Sequence, residues 1–157
     1  MERPIRNPFV GHGDYNCFAC SPGNEHGLQM QFTRDGERVL CRWEPKPWFD
    51  GYTHVLHGGV QSTMMDEAAS WFIFTVLGTA GVTTGLSVQF LRPVRTDGGA
   101  LTLEASLQER RDKRVVVRVE LFDARSELCS TGECEYAIYP RELAVRRLRY
   151  PGPDAFD

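Results

Sequence analysis

The stretch HGGVQSTMMDEAASWFIFTVL, residues 57–77, decides the fold of this chain. From Gly59 to Leu77 its apolar residues recur at three- and four-residue intervals, which predicts a helix of about five turns. Apolar side chains cover nearly every side of the second half of this segment, so we expect the helix to be deeply buried. Gly78 and Gly81 follow it and predict its end.

Alternating apolar and polar residues on both sides of the helix predict antiparallel strands. The predicted strands lie at 28–33, 39–43, 86–90, 101–107, 115–121 and 128–139. Their order predicts an α+β fold with one long helix and a sheet of about six strands. One helix cannot cover both faces and the edges of such a sheet, so we expect a homodimer that continues or covers it.

Length and composition indicate one domain and exclude several classes of protein. The 157 residues predict a domain at 28–140, an irregular N-terminal arm at 1–27 and a C-terminal tail at 141–157. The net charge of −3 argues against a dedicated nucleic-acid binder. No apolar run approaches the roughly 20 residues of a membrane span, and no secretory signal is recognisable. Five cysteines in such a chain predict a cytoplasmic protein with mostly free thiols.

The glycine pair at the start of the helix predicts a binding place for an oxyanion, because unpaired N–H groups and the positive end of the helix dipole meet there. Asp66 follows Gly59 by seven residues, close to two turns, so both lie on one side of the helix. Ser62, Asp66 and Ser70 form a polar row on this side, whereas Glu67 is turned about 100° away. A carboxylate so placed can activate water or attack a carbonyl. The alternative is that the glycines are only a tight turn and the acids an exposed corner.

The HGG motif at 57–59, with Asp66 nine residues after its histidine, resembles the active-site motif of the hotdog-fold acyl-CoA thioesterases. It is most similar to the branch that includes the phenylacetate-pathway and 4-hydroxybenzoyl-CoA thioesterases. The segment SVQFLRPV at 87–94 and the lead-in CFAC…GL at 17–28 also resemble parts of this superfamily. The resemblance covers residues 16–140 and implies a long helix wrapped by a curved antiparallel sheet, in dimers that often pair into tetramers.

The resemblance also implies a reaction, the hydrolysis of an acyl-CoA or aryl-CoA thioester without a metal or other cofactor. By this resemblance Asp66 would be the general base or the nucleophile. The Gly58 N–H would polarise the thioester carbonyl, and Gly59 and His57 would shape the turn.

Two features of the superfamily map less directly onto this chain. Some members use a hydroxyl after the helix to hold water; Thr83 is nearest that place and Ser70 is a second candidate, although Thr83 is equally well interpreted as a residue that begins a strand. Relatives often carry asparagine six residues before the histidine, where this chain has Gly51, with Thr53 or His54 as substitutes.

Arginines are the candidates for holding the phosphates of coenzyme A. Arg92 lies at a strand end, and Arg110 and Arg111 lie in a charged turn. Arginine pairs strongly with phosphate. The competing interpretation is that such a turn is simply solvated surface.

Cys17 and Cys20 form a Cys-x-x-Cys pair in the N-terminal arm. The pair is compatible with half of a zinc site completed by His12 or His26, or with a redox pair. No second Cys-x-x-Cys exists and no strand precedes the first, so we predict no metal and a loop that packs over the acyl site.

Three functions remain open at this point. The first is a thioester hydrolase. The second is a hotdog protein that binds acyl-CoA without turnover, which Gly51 in the place of asparagine favours. The third is a dehydratase, which requires a histidine acting with an acid, and the sequence shows no such arrangement.

Overall fold

The computed structural model describes residues 1–157 and shows one long helix packed against a curved antiparallel sheet. The helix α1 spans Gly58–Thr75, and a shorter helix α2 spans Arg141–Leu148. The strands are β1 (Arg3–Pro4), β2 (Thr33–Asp35), β3 (Arg38–Trp43), β4 (Gly81–Phe90), β5 (Leu101–Arg111), β6 (Arg114–Phe122) and β7 (Leu128–Ile138). The predicted α+β class, with one central helix, is confirmed.

The sheet has the order β1-β2-β3-β5-β6-β7-β4, and all neighbouring strands are antiparallel. β4 lies at one edge and pairs only with β7, so the backbone groups on its outer side are free. It carries Val82, Leu86 and Phe90, which are 42%, 41% and 56% exposed. A ten-residue apolar strand at an open edge is a ready surface for pairing with another strand.

α1 packs against strands β3 to β7 through a face of methionine, alanine and aromatic side chains. Gly132 of β7 lies against Met65 of α1. A Cβ on this glycine would lie 2.7 Å from Met65 Sδ, so a larger residue would require the Met65 side chain to shift. After α1 the chain turns at Gly78, whose φ of +65° is a left-handed conformation that favours glycine.

The two ends of the chain contribute more to the structure than the sequence indicates. Leu28, Met30 and Phe32 are buried alternately as predicted, but the paired strand begins only at Thr33, because the Leu28 and Met30 N–H groups donate to carbonyls of the arm. The arm adds β1, so the sheet has seven strands rather than about six. The segment predicted as a tail forms α2 and buries Phe156 in the core. None of the helices combines the length and hydropathy of a membrane span.

Candidate active site

The start of α1 presents a backbone N–H in an open turn. His57 caps the helix, because its Nδ1 accepts a hydrogen bond of 2.9 Å from the Gly59 N–H. This bond places the ring proton on Nε2. Gly58 is the first residue of the helix, so its own N–H has no acceptor within the helix. A Cβ on Gly58 would lie 3.3 Å from the Phe90 ring, which packs directly over this turn.

A cavity of about 470 Å³ opens at this turn. His57, Gly58, Phe90 and Arg92 are among the residues that line it. A thioester carbonyl placed here would face the Gly58 N–H, and the arginine would lie at the same opening.

Gly51 also lines this cavity, at the position where relatives carry asparagine. A Cβ on Gly51 would lie 3.3 Å from both Cα and Cδ2 of His57, so this glycine lets the loop pack closely on the capping histidine. Thr53 and His54 are exposed, and neither is among the residues that line the cavity. Neither Thr53 nor His54 therefore takes the place of the asparagine amide in the cavity of a single chain.

Asp66 lies farther along α1, where hydroxyl groups hold one of its carboxylate oxygens. Asp66 Oδ1 accepts hydrogen bonds from Thr83 Oγ1 at 2.8 Å and from Tyr136 Oη at 2.6 Å. Ser70 Oγ lies 2.9 Å from the same phenol oxygen, which extends the chain of hydroxyls. Burial raises the pKa of Tyr136, so the phenol keeps its proton and donates it. Oδ2 takes part in none of these bonds and is left for another partner.

The sheet explains why these two hydroxyls meet. Thr83 of β4 and Tyr136 of β7 are directly opposite each other, and opposite residues of an antiparallel pair point to the same face. A bulge between Thr83 and Gly85 changes the register at this point. Thr83 and Ser70 were candidates from the sequence, whereas Tyr136 was missed. The sequence feature that could have identified Tyr136 is its inward position on β7, because a buried tyrosine hydroxyl needs a hydrogen-bond partner.

Glu67 lies on a different side of α1 and is partly buried. Trp71 Nε1 donates a hydrogen bond of 2.9 Å to Glu67 Oε1, and Cys17 Sγ lies 3.7 Å from the same oxygen. Burial raises the pKa of this carboxyl to about 7. The arm that carries Cys17 thus packs against Glu67, and no residue of the arm lines the cavity at Gly58.

The candidate arginines lie at two ends of the molecule. Arg92 forms an exposed ion pair of 2.7 Å with Glu127 beside the Gly58 cavity. Arg110 lines a separate cavity near the end of α1, and Arg111 pairs with Glu109. Within one chain only Arg92 shares a cavity with Gly58.

Gly58 and Asp66 are not brought together within one chain. Eight residues separate them on α1, which corresponds to about 12 Å along the helix axis. Asp66 is not among the residues that line the cavity at Gly58. A thioester bound by the Gly58 amide of one chain is therefore distant from the carboxylate of that same chain.

Comparisons with known proteins show the family of this chain. Residues 53–130, which include α1 and most of the sheet, match the family model described as the thioesterase superfamily. The chain belongs to the thioesterase superfamily. The family predicted from the HGG motif is thus confirmed, and the match includes both the glycine pair and Asp66.

Two curated relatives align with part of this chain. A protein of Saccharolobus solfataricus, named provisionally as an esterase, is 31% identical over 86 residues, which cover 54% of this chain and 56% of the relative. The acyl-coenzyme A thioesterase THEM4 of Bos taurus is 33% identical over 76 residues, or 46% of this chain and 30% of the relative. The chain thus matches about half of the first relative's length and less than a third of the second's.

Solved structures with the same fold align with a larger part of this chain than the curated relatives do. AziG of S. sahachiroi is 27% identical with a TM-score of 0.67, over 76% of this chain and 98% of AziG. The E. coli PaaI protein from the phenylacetic acid degradation operon has a TM-score of 0.64 at 17% identity, over 73% of this chain and 82% of PaaI. The second likeness shows the shared fold and is consistent with the predicted branch.

Proposed function

We propose that this chain hydrolyses an acyl-CoA or aryl-CoA thioester to the free acid and coenzyme A, and that it does so as a homodimer. Asp66 acts as the general base or the nucleophile, and the Gly58 N–H polarises the thioester carbonyl. The observation that carries the proposal is the position of β4, which touches both groups and is an open edge strand. The family match and the name of the bovine relative support this class of reaction.

The geometry of β4 favours a site shared by two copies. Thr83, near the start of β4, contacts Asp66, and Phe90, at its end, contacts Gly58. When an edge strand pairs antiparallel with its own copy, the start of one strand lies beside the end of the other. Such pairing brings Asp66 of one chain towards Gly58 of the partner subunit. It also covers the exposed apolar side chains of β4.

The chemistry then follows from these two groups. The thioester oxygen accepts a hydrogen bond from the Gly58 N–H at the positive end of α1, which stabilises the negative charge that develops there. Asp66 Oδ2 takes a proton from a water molecule as the water oxygen bonds to the carbonyl carbon. The tetrahedral intermediate collapses, the carbon–sulfur bond breaks, and the coenzyme A thiolate takes up a proton. With Asp66 as nucleophile, its oxygen bonds to the carbonyl carbon first, the carbon–sulfur bond breaks and the coenzyme A thiolate leaves and takes up a proton, and water then hydrolyses the resulting anhydride.

Hydroxyls and an arginine support this reaction. Thr83 and Tyr136 hold Asp66 Oδ1, so Oδ2 keeps one orientation. Arg92 lies at the opening of the Gly58 cavity, where it exchanges Glu127 for a phosphate of coenzyme A. Arg110 and Arg111 stay predictions as phosphate ligands. Pairing of dimers into tetramers and a cytoplasmic location also stay predictions.

Asp66→Asn is the test of this function. We expect kcat on a panel of CoA esters to fall by about 10²–10⁴-fold, because the amide neither accepts a proton nor attacks. Turnover is measured as the release of the free thiol. Asp154→Asn, the same change at an exposed position near the C terminus, serves as the control. Unchanged turnover of Asp66→Asn would remove Asp66 from catalysis. If the wild-type chain binds CoA esters tightly in calorimetry and hydrolyses none of the panel, the chain is an acyl-CoA-binding protein.

A further inference from the structure

The N-terminal arm and α1 bring two thiols and a carboxylate together on a side of the helix different from that of Asp66. The Sγ atoms of Cys17 and Cys20 and a carboxylate oxygen of Glu67 all lie within 4.8 Å of one another. We propose that these three side chains bind one zinc ion, and that this site fastens the arm to α1. The role is separate from thioester hydrolysis.

The separation between the Cys17 sulfur and the Glu67 oxygen fits tetrahedral zinc. With zinc–sulfur bonds of about 2.3 Å and zinc–oxygen bonds of about 2.0 Å, tetrahedral angles place a sulfur and an oxygen ligand about 3.5 Å apart and two sulfur ligands about 3.8 Å apart. Cys17 Sγ lies 3.7 Å from Glu67 Oε1, close to the first of these distances. Small side-chain rotations therefore suffice to form the site.

The turn from Cys17 to Cys20 is shaped to hold a thiolate. The Cys20 N–H donates a hydrogen bond of 3.4 Å to Cys17 Sγ, and the Ser21 N–H closes the turn on the Cys17 carbonyl at 3.1 Å. The Tyr15 hydroxyl lies 2.9 Å from Cys20 Sγ, within hydrogen-bond distance of it. Thiolate is the form of cysteine that binds metal ions.

Glu67 is a partly buried acid with no cation beside it. Trp71 Nε1 holds the oxygen that faces Cys17, which orients the carboxylate towards the two sulfur atoms. None of the ion pairs of the chain includes Glu67. A partly buried carboxylate next to a thiolate is costly without positive charge, and a divalent cation supplies that charge. Two thiolates and one carboxylate favour zinc over magnesium or calcium.

A route and a fourth ligand are also available. A cavity of about 440 Å³ is lined by Cys20 and Trp71, and it gives water access to this side of the cluster. Water completes the tetrahedron as the fourth ligand. Each thiol or carboxyl group that is still protonated releases its proton to solvent when the ion binds, and no group changes its oxidation state. The His12 and His26 rings, which the sequence offered as ligands, are not part of the cluster.

The test is a metal titration of the reduced, metal-free full chain with Zn²⁺ and with Co²⁺. We expect one ion per chain by native mass spectrometry, and a thiolate-to-cobalt charge-transfer absorption. Glu67→Gln keeps the size of the side chain and an oxygen for the Trp71 N–H, and we expect it to weaken zinc binding at least tenfold. The double variant Cys17→Ser with Cys20→Ser should lose the charge-transfer absorption. Cys129→Ser, whose thiol lies outside the cluster, should bind zinc as the wild type does.

A second readout separates loss of binding from loss of folding. Zn²⁺ should raise the thermal midpoint of the wild type and of Cys129→Ser, and should raise that of Glu67→Gln less. Zinc uptake by the double variant equal to that of the wild type would overturn the proposal. A folded, reduced wild type that takes up no zinc would also overturn the proposal. This outcome counts against the proposal even if the chain purified without reductant contains a disulfide between these cysteines, formed with the loss of two hydrogens. Neither readout depends on thioesterase activity.

Discussion

Asp66 and Glu67 are neighbours in the sequence and carry the same functional group, yet α1 places them in opposite surroundings. Asp66 is partly exposed beside the open edge of the sheet, where the hydroxyls of Thr83 and Tyr136 hold one of its oxygens. Glu67, about 100° around the helix, is closed in by the Trp71 indole and by the N-terminal arm. One residue of helical rotation thus separates a carboxylate at the edge of the sheet from a carboxylate that contacts the arm.

The difference teaches that the partners of a carboxylate decide its use. At Asp66 the hydroxyl donors fix one oxygen and leave the other free, which suits proton transfer or attack on a substrate. At Glu67 a carboxylate oxygen lies near two sulfur atoms, which suits the binding of a soft cation. Variants that change one set of partners and leave the other intact can therefore break or sharpen the comparison.

Tyr136→Phe tests the Asp66 side and has the larger expected effect. The change removes one of the two hydroxyls that hold Oδ1, so the carboxylate loses its fixed orientation. We expect kcat to fall about tenfold to a hundredfold with little change in KM, because the phenol positions Asp66 and does not touch substrate. Steady-state kinetics on one CoA ester check this split.

Tyr139→Phe is the matched control for this prediction. Tyr139 lies three residues away, and its hydroxyl makes no hydrogen bond to Asp66. We expect its kcat to remain close to that of the wild type. Equal losses of kcat in the two variants would show that the hydroxyl chain does not position Asp66.

Trp71→Phe tests the Glu67 side and has the smaller expected effect on catalysis. The change removes the N–H that donates a hydrogen bond to Glu67. It also replaces an indole whose ring centroid lies 5.0 Å from that of Phe32 with a smaller ring. We expect a loss of about 1–3 kcal/mol in the free energy of unfolding, measured by urea denaturation, because a buried acceptor loses its donor.

Trp48→Phe, at a side chain that is 67% exposed, is the control for this stability measurement and should cost far less. Turnover of folded Trp71→Phe should stay nearer to the wild type than that of Tyr136→Phe. A loss of turnover in Trp71→Phe as large as in Tyr136→Phe would show that the two sides of the helix are not independent.

Local patterns in the sequence predicted the helix, most of the strands and the line of Asp66 and Ser70 along α1. These features depend on periodicities of 3.6 and 2 residues, which are properties of neighbouring residues. The existence of an open edge or face was also predictable, because one helix cannot cover a sheet of this size. The identity of the edge strand, β4, was not predicted.

Contacts between distant parts of the chain were missed for a physical reason. Tyr136 reaches Asp66 across 70 residues, and this contact depends on the register of β4 against β7, which no local pattern specifies. Cys17 reaches Glu67 across 50 residues through an irregular arm. Sequence spacing pointed instead to nearby histidines as partners of the cysteines.

The central claim is that Gly58 and Asp66 act together across two chains, and mixed dimers test it most directly. Gly58→Pro removes the N–H at a helix position that favours proline, and Gly58→Ala keeps the N–H with the same Cβ beside Phe90. The Gly58→Pro and Asp66→Asn chains, each inactive alone, are co-expressed with different tags and purified as mixed dimers. One of the two sites in each mixed dimer then has both groups, so we predict about half of the wild-type activity. Mixed dimers as inactive as their parents would contradict the account.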